Sequence, residues 1–223
     1  MIKIATVTPI WAPFLFELGK EYIEKAFEGE EITITPYYEE CGTLLDEIKQ
    51  CGEMKPEHAR RAFNVLERAQ QDGNDAILVE CSTMGDVSKC AKQLYELMGT
   101  PLVRIDQPAF TKAVSIGNRI GMVVNLSTTI PMSSRLAYDC AKEQGKEIEL
   151  VLGYEEAYGM SPEEVRQSML KNCKAIENKV DVIVLAQATM TVHAEWLQSQ
   201  LSVPVIPTVP MGVEALRNAV IKK

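Results

Sequence analysis

The sequence predicts an α/β protein of two pseudo-symmetric lobes, each a four-stranded, mainly parallel sheet flanked by helices, with the active site in the cleft between them. Three observations carry this reading. Short β-branched runs alternate with helical patterns along the whole chain, which is the signature of βαβ units. The runs are almost unbroken aliphatic stretches such as AILV and VIVL, so helices must cover both faces of each sheet. Residues 54–84 also align without a gap on residues 160–190, with nine of 31 positions identical. Unrelated segments would match at roughly two positions on ordinary residue frequencies. Self-similarity on this scale marks a duplicated supersecondary unit.

The first lobe draws its strands from Ile2–Thr8, Ile32–Tyr37, Ala76–Cys81 and Leu102–Ile105. The second uses Ile120–Asn125, Ile148–Leu152, Val182–Gln187 and Val203–Ile206. The helices between them carry start signals. Ser161 precedes Pro162 and Glu163-Glu164, placing a capping serine before a first-turn proline with a glutamate three positions on. Pro56–Glu57 holds the same place in the first copy, followed by an apolar stripe of Ala59, Ala62, Phe63, Leu66 and Ala69. Gly73 ends that helix. The N-terminal lobe is read as residues 1–108, rejoined by a C-terminal helix at 209–223, and the second lobe as 109–208.

Composition narrows the partners. A core-forming 46% hydrophobic content with 24% charged residues is ordinary for a soluble protein. The net charge of −8 argues against nucleic acid or an anionic membrane, both of which require a basic surface. The N-terminus MIKIATVTPI lacks the organisation of a signal peptide, so a cytoplasmic location is expected. Six cysteines without a CxxC pair, and only His58 and His193 as histidines, point neither to a disulfide framework nor to a structural zinc site. Most of the cysteines are expected to be small buried hydrophobes. Cys90 is placed in a stripe with Val87, Ala91 and Leu94, and Cys173 in one with Val165, Met169 and Ile176.

In parallel α/β sheets, ligands bind outside the carboxyl ends of the strands. The residues there are Thr8, Cys81-Ser82-Thr83, Ser127-Thr128-Thr129, Gln187-Ala188-Thr189 and Thr208: hydroxyls and amides around one thiol. Backbone N–H groups at such strand-to-helix turns favour a carboxylate or a developing oxyanion, and a helix start beside Cys81 favours its thiolate. On general grounds a strand-end cysteine is more often buried filler than a nucleophile. The unique place of Cys81 in the repeat, opposite Gln187, and the Ser-Thr after it shift the reading towards chemistry.

At these residues the chain resembles the Asp/Glu/hydantoin racemase superfamily. VECSTMGD (79–86) looks like the family's first cysteine motif and VLAQATM (184–190) like its second; RIGMVVNLSTT (119–129) resembles the opening strand of the second half with its threonine loop. The resemblance covers nearly the whole chain. It implies a cofactor-independent isomerase, without metal, PLP or nucleotide, that acts on a small carboxylate or cyclic amide and assembles as a homodimer or higher homo-oligomer. The sequence shows no GxxxxGK phosphate loop. By the same resemblance Cys81 is the catalytic residue, and Thr8, Ser82, Thr83, Thr128, Thr129, Gln187, Ala188 and Thr189 bind substrate.

The chain departs from the family pattern in two places. Gln187 stands where the second cysteine belongs, and Thr8-Pro9 where many relatives carry Asp or Asn. In family racemases one thiolate removes the α-proton and the other thiol protonates the opposite face. Glutamine has no proton that titrates near neutral pH, which puts two-base racemisation in doubt. The alternatives are a decarboxylase-like enzyme working with one thiol, or a non-catalytic protein that binds small carboxylates. Candidates to stand in for the missing base are His193, on the helix after Gln187, and Cys41. Tyr154 and Tyr158 are candidates to close over a substrate. Glu80 alternates to the opposite side of its strand from Cys81 and is expected against a neighbouring helix.

Overall fold

The computed structural model describes residues 1–157 and 159–221. The elements run β1 (Ile2–Val7), α1 (Pro13–Ala26), β2 (Ile32–Tyr37), α2 (Leu44–Cys51), α3 (Pro56–Gln71), β3 (Ala76–Val79), α4 (Gly85–Leu97) and β4 (Leu102–Arg104). The order then repeats with α5 (Gln107–Ile116), β5 (Arg119–Val124), α6 (Thr129–Glu143), β6 (Glu149–Tyr154), α7 (Pro162–Ile176), β7 (Val182–Leu185), α8 (Ala194–Gln200), β8 (Val205–Pro207) and α9 (Thr208–Ile221). Two four-stranded sheets result, with strand orders β2-β1-β3-β4 and β6-β5-β7-β8. Every strand pair is parallel. The chain divides into two compact units, Met1–Ile105 with the residues from Val209 on, and Asp106–Thr208.

In each sheet the fully buried strand is the repeated one. All four residues of β3 and all four of β7 are at 0% exposure, as expected for a parallel strand covered on both faces. In the first unit α3 and α4 seal one face, where Ala62, Leu66 and Ala69 pack with Val87 and Ala91 against Ile77 and Val79. In the second, Met169, Cys173 and Ile176 of α7 pack with Leu197 of α8 against Ile183 and Leu185. Burial pushes the Cys173 thiol up to about 12, so it is an inert core group.

The conserved spacing of the repeat has a physical cause at the strand feet. Asp75 accepts a hydrogen bond from the Lys3 backbone N–H at 2.8 Å. Asp181 accepts from Asn118 and Arg119 N–H at 3.1 and 2.9 Å. Each aspartate therefore fixes the register of its own sheet by satisfying amides where the neighbouring strand begins. The helix starts behave as expected. Ser161 Oγ accepts from Glu164 N–H, while Ser161 N–H donates to Glu164 Oε2 at 2.7 Å. In the first copy His58 substitutes, its Nδ1 accepting from Lys55 N–H at 3.2 Å.

Three expectations fail. Only Cys140 and Cys173 are buried; Cys41, Cys51 and Cys90 are exposed, and Cys81 is intermediate. The stripe assigned to α4 has the wrong phase. Val87 and Ala91 are buried, but with Ser88 and Tyr95, leaving Cys90, Leu94 and Met98 outside. The Tyr95 ring sits 6.5 Å from that of Phe63 on α3. Burying this larger aromatic surface sets the rotation of the helix. The strands also end earlier than their apolar runs: β3 stops at Val79 and β7 at Leu185. Tyr158, Lys222 and Lys223 lie outside the described residues. Among the described residues, no helix is long and apolar enough to cross a membrane.

Leu66, at 0% exposure, and Leu97, at 88%, provide a paired test of this packing. Leu66→Ala costs about 2–5 kcal/mol by urea denaturation, whereas Leu97→Ala changes stability by less than about 0.5 kcal/mol. Equal effects would contradict the assigned rotation of α3 and α4.

Candidate active site

In the first unit the chain leaves the sheet at Cys81. The last ladder bond runs from Glu80 N–H to the Val7 carbonyl at 3.0 Å. Cys81 keeps extended backbone angles, φ −118° and ψ 120°, and opens a 3-10 turn at Ser82–Met84 that runs straight into α4. Thr8 leaves the adjacent strand at the same level, its N–H donating to the Tyr37 carbonyl at 3.0 Å. Its hydroxyl donates to the Ile10 carbonyl at 2.6 Å, which fixes the turn and leaves the oxygen lone pairs as acceptors. Thr8, Cys81, Ser82 and Thr83 are thus gathered at one carboxyl edge. Thr8, Ser82 and Thr83 are buried, while Cys81 is partly open to solvent.

In the second unit the same geometry recurs with different chemistry. Ala186 N–H bonds the Val123 carbonyl at 3.1 Å. Gln187 then adopts φ −123° and ψ 139° and opens a 3-10 turn at Ala188–His193. The Gln187 side chain, 8% exposed, does not hang free: its Oε1 accepts from the Asn125 backbone N–H at 2.7 Å. With the carbonyl so engaged, the Nε2 end of the amide is left as a pure donor. Thr128 and Thr129 sit at the start of the 15-residue α6. The Thr128 hydroxyl is buried and has no protein partner, and so does the Ser133 hydroxyl one turn on. A buried hydroxyl without a partner is costly, so the start of α6, where the helix dipole favours an anion, presents an unfilled polar position. Ala188 is buried and Thr189 exposed.

Three contacts escape sequence reasoning. Glu80 is 1% exposed with both carboxyl oxygens unpartnered. It lies, as its alternation implies, on the face opposite Cys81, against α1. Its Oε1 would come within 1.9 Å of a Cβ placed on Gly19, so only glycine fits there. Burial pushes the Glu80 carboxyl up to about 8, which keeps it protonated at neutral pH. The second is Arg104, 5% exposed, whose guanidinium lies over Gly85 at the start of α4, again where no side chain fits. The third is the Asn125–Gln187 bond. Nothing in the sequence pairs Glu80 with Gly19 or Gln187 with Asn125; an acidic residue ending an aliphatic run was the one available signal.

His193 lies near Arg166 and Glu163 of α7; burial first, and then the Arg166 charge, lower its pKa against the smaller opposing effect of Glu163. Arg166 itself stacks 3.9 Å over the Trp196 ring. Cys41 is exposed beside Glu39, whose carboxylate also accepts from Gly42 N–H. The Tyr154 hydroxyl donates to Glu156 Oε2 at 3.0 Å. Among the described residues, no group of three or more His, Cys, Asp and Glu side chains is placed to hold a metal ion.

The model of the Asp/Glu/hydantoin racemase family matches residues 37–216. The chain belongs to that family. Solved structures agree on the fold. Glutamate racemase isoform RacE1 from Bacillus anthracis superposes with a TM-score of 0.70 at 14% identity, covering 99% of this chain and 82% of that one. Allantoin racemase from Klebsiella pneumoniae gives 0.70 at 16% identity, covering 100% and 89%. Aspartate racemase from Picrophilus torridus gives 0.68 at 15%, covering 100% and 94%. No curated protein matches the chain in sequence.

Glu80 yields a prediction with a definite sign. The folded protein keeps a proton that the unfolded chain releases near 4.5, since the folded value is about 8. Stability relative to Glu80→Gln is therefore undiminished below about pH 4.5, falls as pH rises, and levels off above about 8. Melting temperatures of the two proteins should coincide at pH 4 and diverge by pH 8, with the glutamine variant higher. A gap that ignores pH would show that Glu80 is not buried in neutral form.

Proposed function

We propose that this member of the racemase family is an enzyme in which Cys81 is the single acid–base thiol. It acts beside the carboxylate or amide carbonyl of a small acid or cyclic amide. The observation that carries the reading is the matched pair of strand exits. Cys81 and Gln187 share backbone geometry and both open 3-10 turns, yet one offers a thiol and the other an amide whose carbonyl is already bonded to Asn125.

In this scheme the Cys81 thiolate takes the proton from the α-carbon, and the electron pair of that C–H bond moves into the adjacent carbonyl to give a planar enolate. The new thiol then returns a proton to the same face. Thr128 and Thr129 are assigned to the substrate oxygens at the start of α6, where the unpartnered Thr128 hydroxyl supplies a donor. Thr8, Ser82, Thr83, Ala188 and Thr189 line the binding residues, with the Gln187 Nε2 donating to the developing oxyanion. No metal, PLP or nucleotide takes part in these steps. The neighbours named as glutamate, aspartate and allantoin racemases support the substrate class of amino acids and cyclic amides. A reducing, cytoplasmic setting suits six cysteines of which none is bridged.

One-face proton transfer has its own outcome: exchange with solvent at the α-carbon without inversion. In D₂O, L- and D-amino acids and 5-substituted hydantoins are followed by NMR for deuterium and by chiral chromatography for configuration. Wild type incorporates deuterium with configuration retained, and Cys81→Ala is slower by about 10²–10⁴-fold. Equal incorporation by the variant would remove Cys81 from the mechanism. Racemisation by wild type would mean that a second acid–base group serves the opposite face.

A further inference from the structure

We infer that Arg104 is a positioning residue of the reaction, its buried guanidinium holding Cys81 ready as the thiolate. This rests on the reading of Cys81 as the reacting thiol and names the group that readies it.

Arg104 ends β4, directly opposite Val79 in the parallel register. Cys81 lies two extended residues beyond Val79, so its backbone starts on the order of 8 Å from that of Arg104. The side chain then reaches forward. Its Cζ, Nη1 and Nη2 are almost equally close to the place a Cβ on Gly85 would take, so the plane of the guanidinium lies face-on to that glycine. Gly85 opens α4 where the turn closes on Cys81: Met84 N–H donates to the Cys81 carbonyl at 3.1 Å, and Gly85 N–H to the Ser82 carbonyl. The positive group is thus 5% exposed and set against the N-terminal end of a 13-residue helix. Both features oppose it, since burial strips its water and the helix dipole is positive at that end. A thiolate formed at the same corner, on Cys81, offsets both.

The duplication supplies an internal control. In the second sheet Leu185 pairs with Pro207, so a proline stands where the first sheet has Arg104. The place of Gly85 is taken by Thr191 at the constant offset of the repeat. The exit there is Gln187, which forms no anion. The thiol, the arginine and the glycine that admits it occur together in one copy, and the other copy has none of the three. The remaining charges near the turn do not replace Arg104. Asp86 and the exposed Lys89, both early in α4, are of opposite sign. Glu80 points to the other face, against Gly19, and burial keeps it neutral. At the β2 exit Glu39 and Glu40 are paired with Arg61 and Arg68. One unit charge at this range shifts a thiol by on the order of one pH unit.

Alkylation by iodoacetamide is followed from about pH 5 to about 10, so that the outcome does not depend on turnover. Mass spectrometry quantifies the Cys81 peptide, with the Cys90 peptide as a control on the same helix. In Arg104→Met the pH midpoint of Cys81 rises by about one unit, and alkylation below the midpoint slows about tenfold. Arg104→Lys, which keeps the charge, regains at least about threefold of that loss. Gly85→Ala, whose Cβ displaces the guanidinium with the charge still on the chain, raises the midpoint as well. Cys90 is unchanged throughout, which a disturbed α4 would not allow. An unmoved Cys81 midpoint in Arg104→Met overturns the inference, as does an equal change at Cys90. Where Arg104→Met is not recovered folded, an unmoved midpoint in Gly85→Ala overturns it instead. If Arg104 sets the midpoint but wild type shows no deuterium exchange, the inference stands and the acid–base role of Cys81 falls. If exchange depends on Cys81 while the midpoint ignores Arg104, the role of Cys81 stands and the inference falls.

Discussion

The constraint on which the rest depends is the complete burial of two short parallel strands. β3 and β7 have no face open to water, so each backbone amide must find a partner in the sheet. They do so up to Glu80 and Ala186, whose N–H groups make the last ladder bonds. The next residue in each case, Cys81 or Gln187, is the first released from the ladder while still extended. A side chain there is held by rigid structure behind it and by a helical turn ahead of it. Chemistry at this point needs no mobile loop to position it.

Duplication fixed the backbone at both exits and left the side chains to diverge. The aspartates at the strand feet, Asp75 and Asp181, are retained because they satisfy strand-start amides in either copy. The exit residues answer to different demands. On the first copy, Glu80 pressed against Gly19 puts a protonated carboxyl behind the thiol-bearing turn, whereas the second copy has Ala186 at that place. The two halves therefore share a topology and differ in what their exits present: a partly open sulfur in one, an amide anchored by its carbonyl in the other.

The sequence made the architecture legible because parallel strands buried on both faces read as aliphatic runs, and because the repeat supplied each element twice. It singled out Cys81 as a candidate for a related reason: an asymmetry shows only against a symmetric background. Strand ends were overestimated, since Cys81 and Gln187 remain extended after pairing has stopped, and apolar pattern does not report pairing. The rotation of α4 was missed because Leu94 and Tyr95 are neighbours on the helix, and the contact with Phe63 that favours the latter is long-range. The Glu80–Gly19 approach and the Asn125–Gln187 bond were illegible in the same way. Both join residues 61 or more positions apart by shape alone.

The tether on Gln187 has an evolutionary corollary. Placing a sulfur at this exit by Gln187→Cys would shorten the side chain and strip the Asn125 amide of its acceptor, because a thiol is a weak one. Such an orphaned donor costs about 1–3 kcal/mol. A thiol at position 187 is thus reached only through a destabilised intermediate unless the loop at Asn125 is remodelled along with it, so the amide tether works as a ratchet that keeps the two exits chemically unlike.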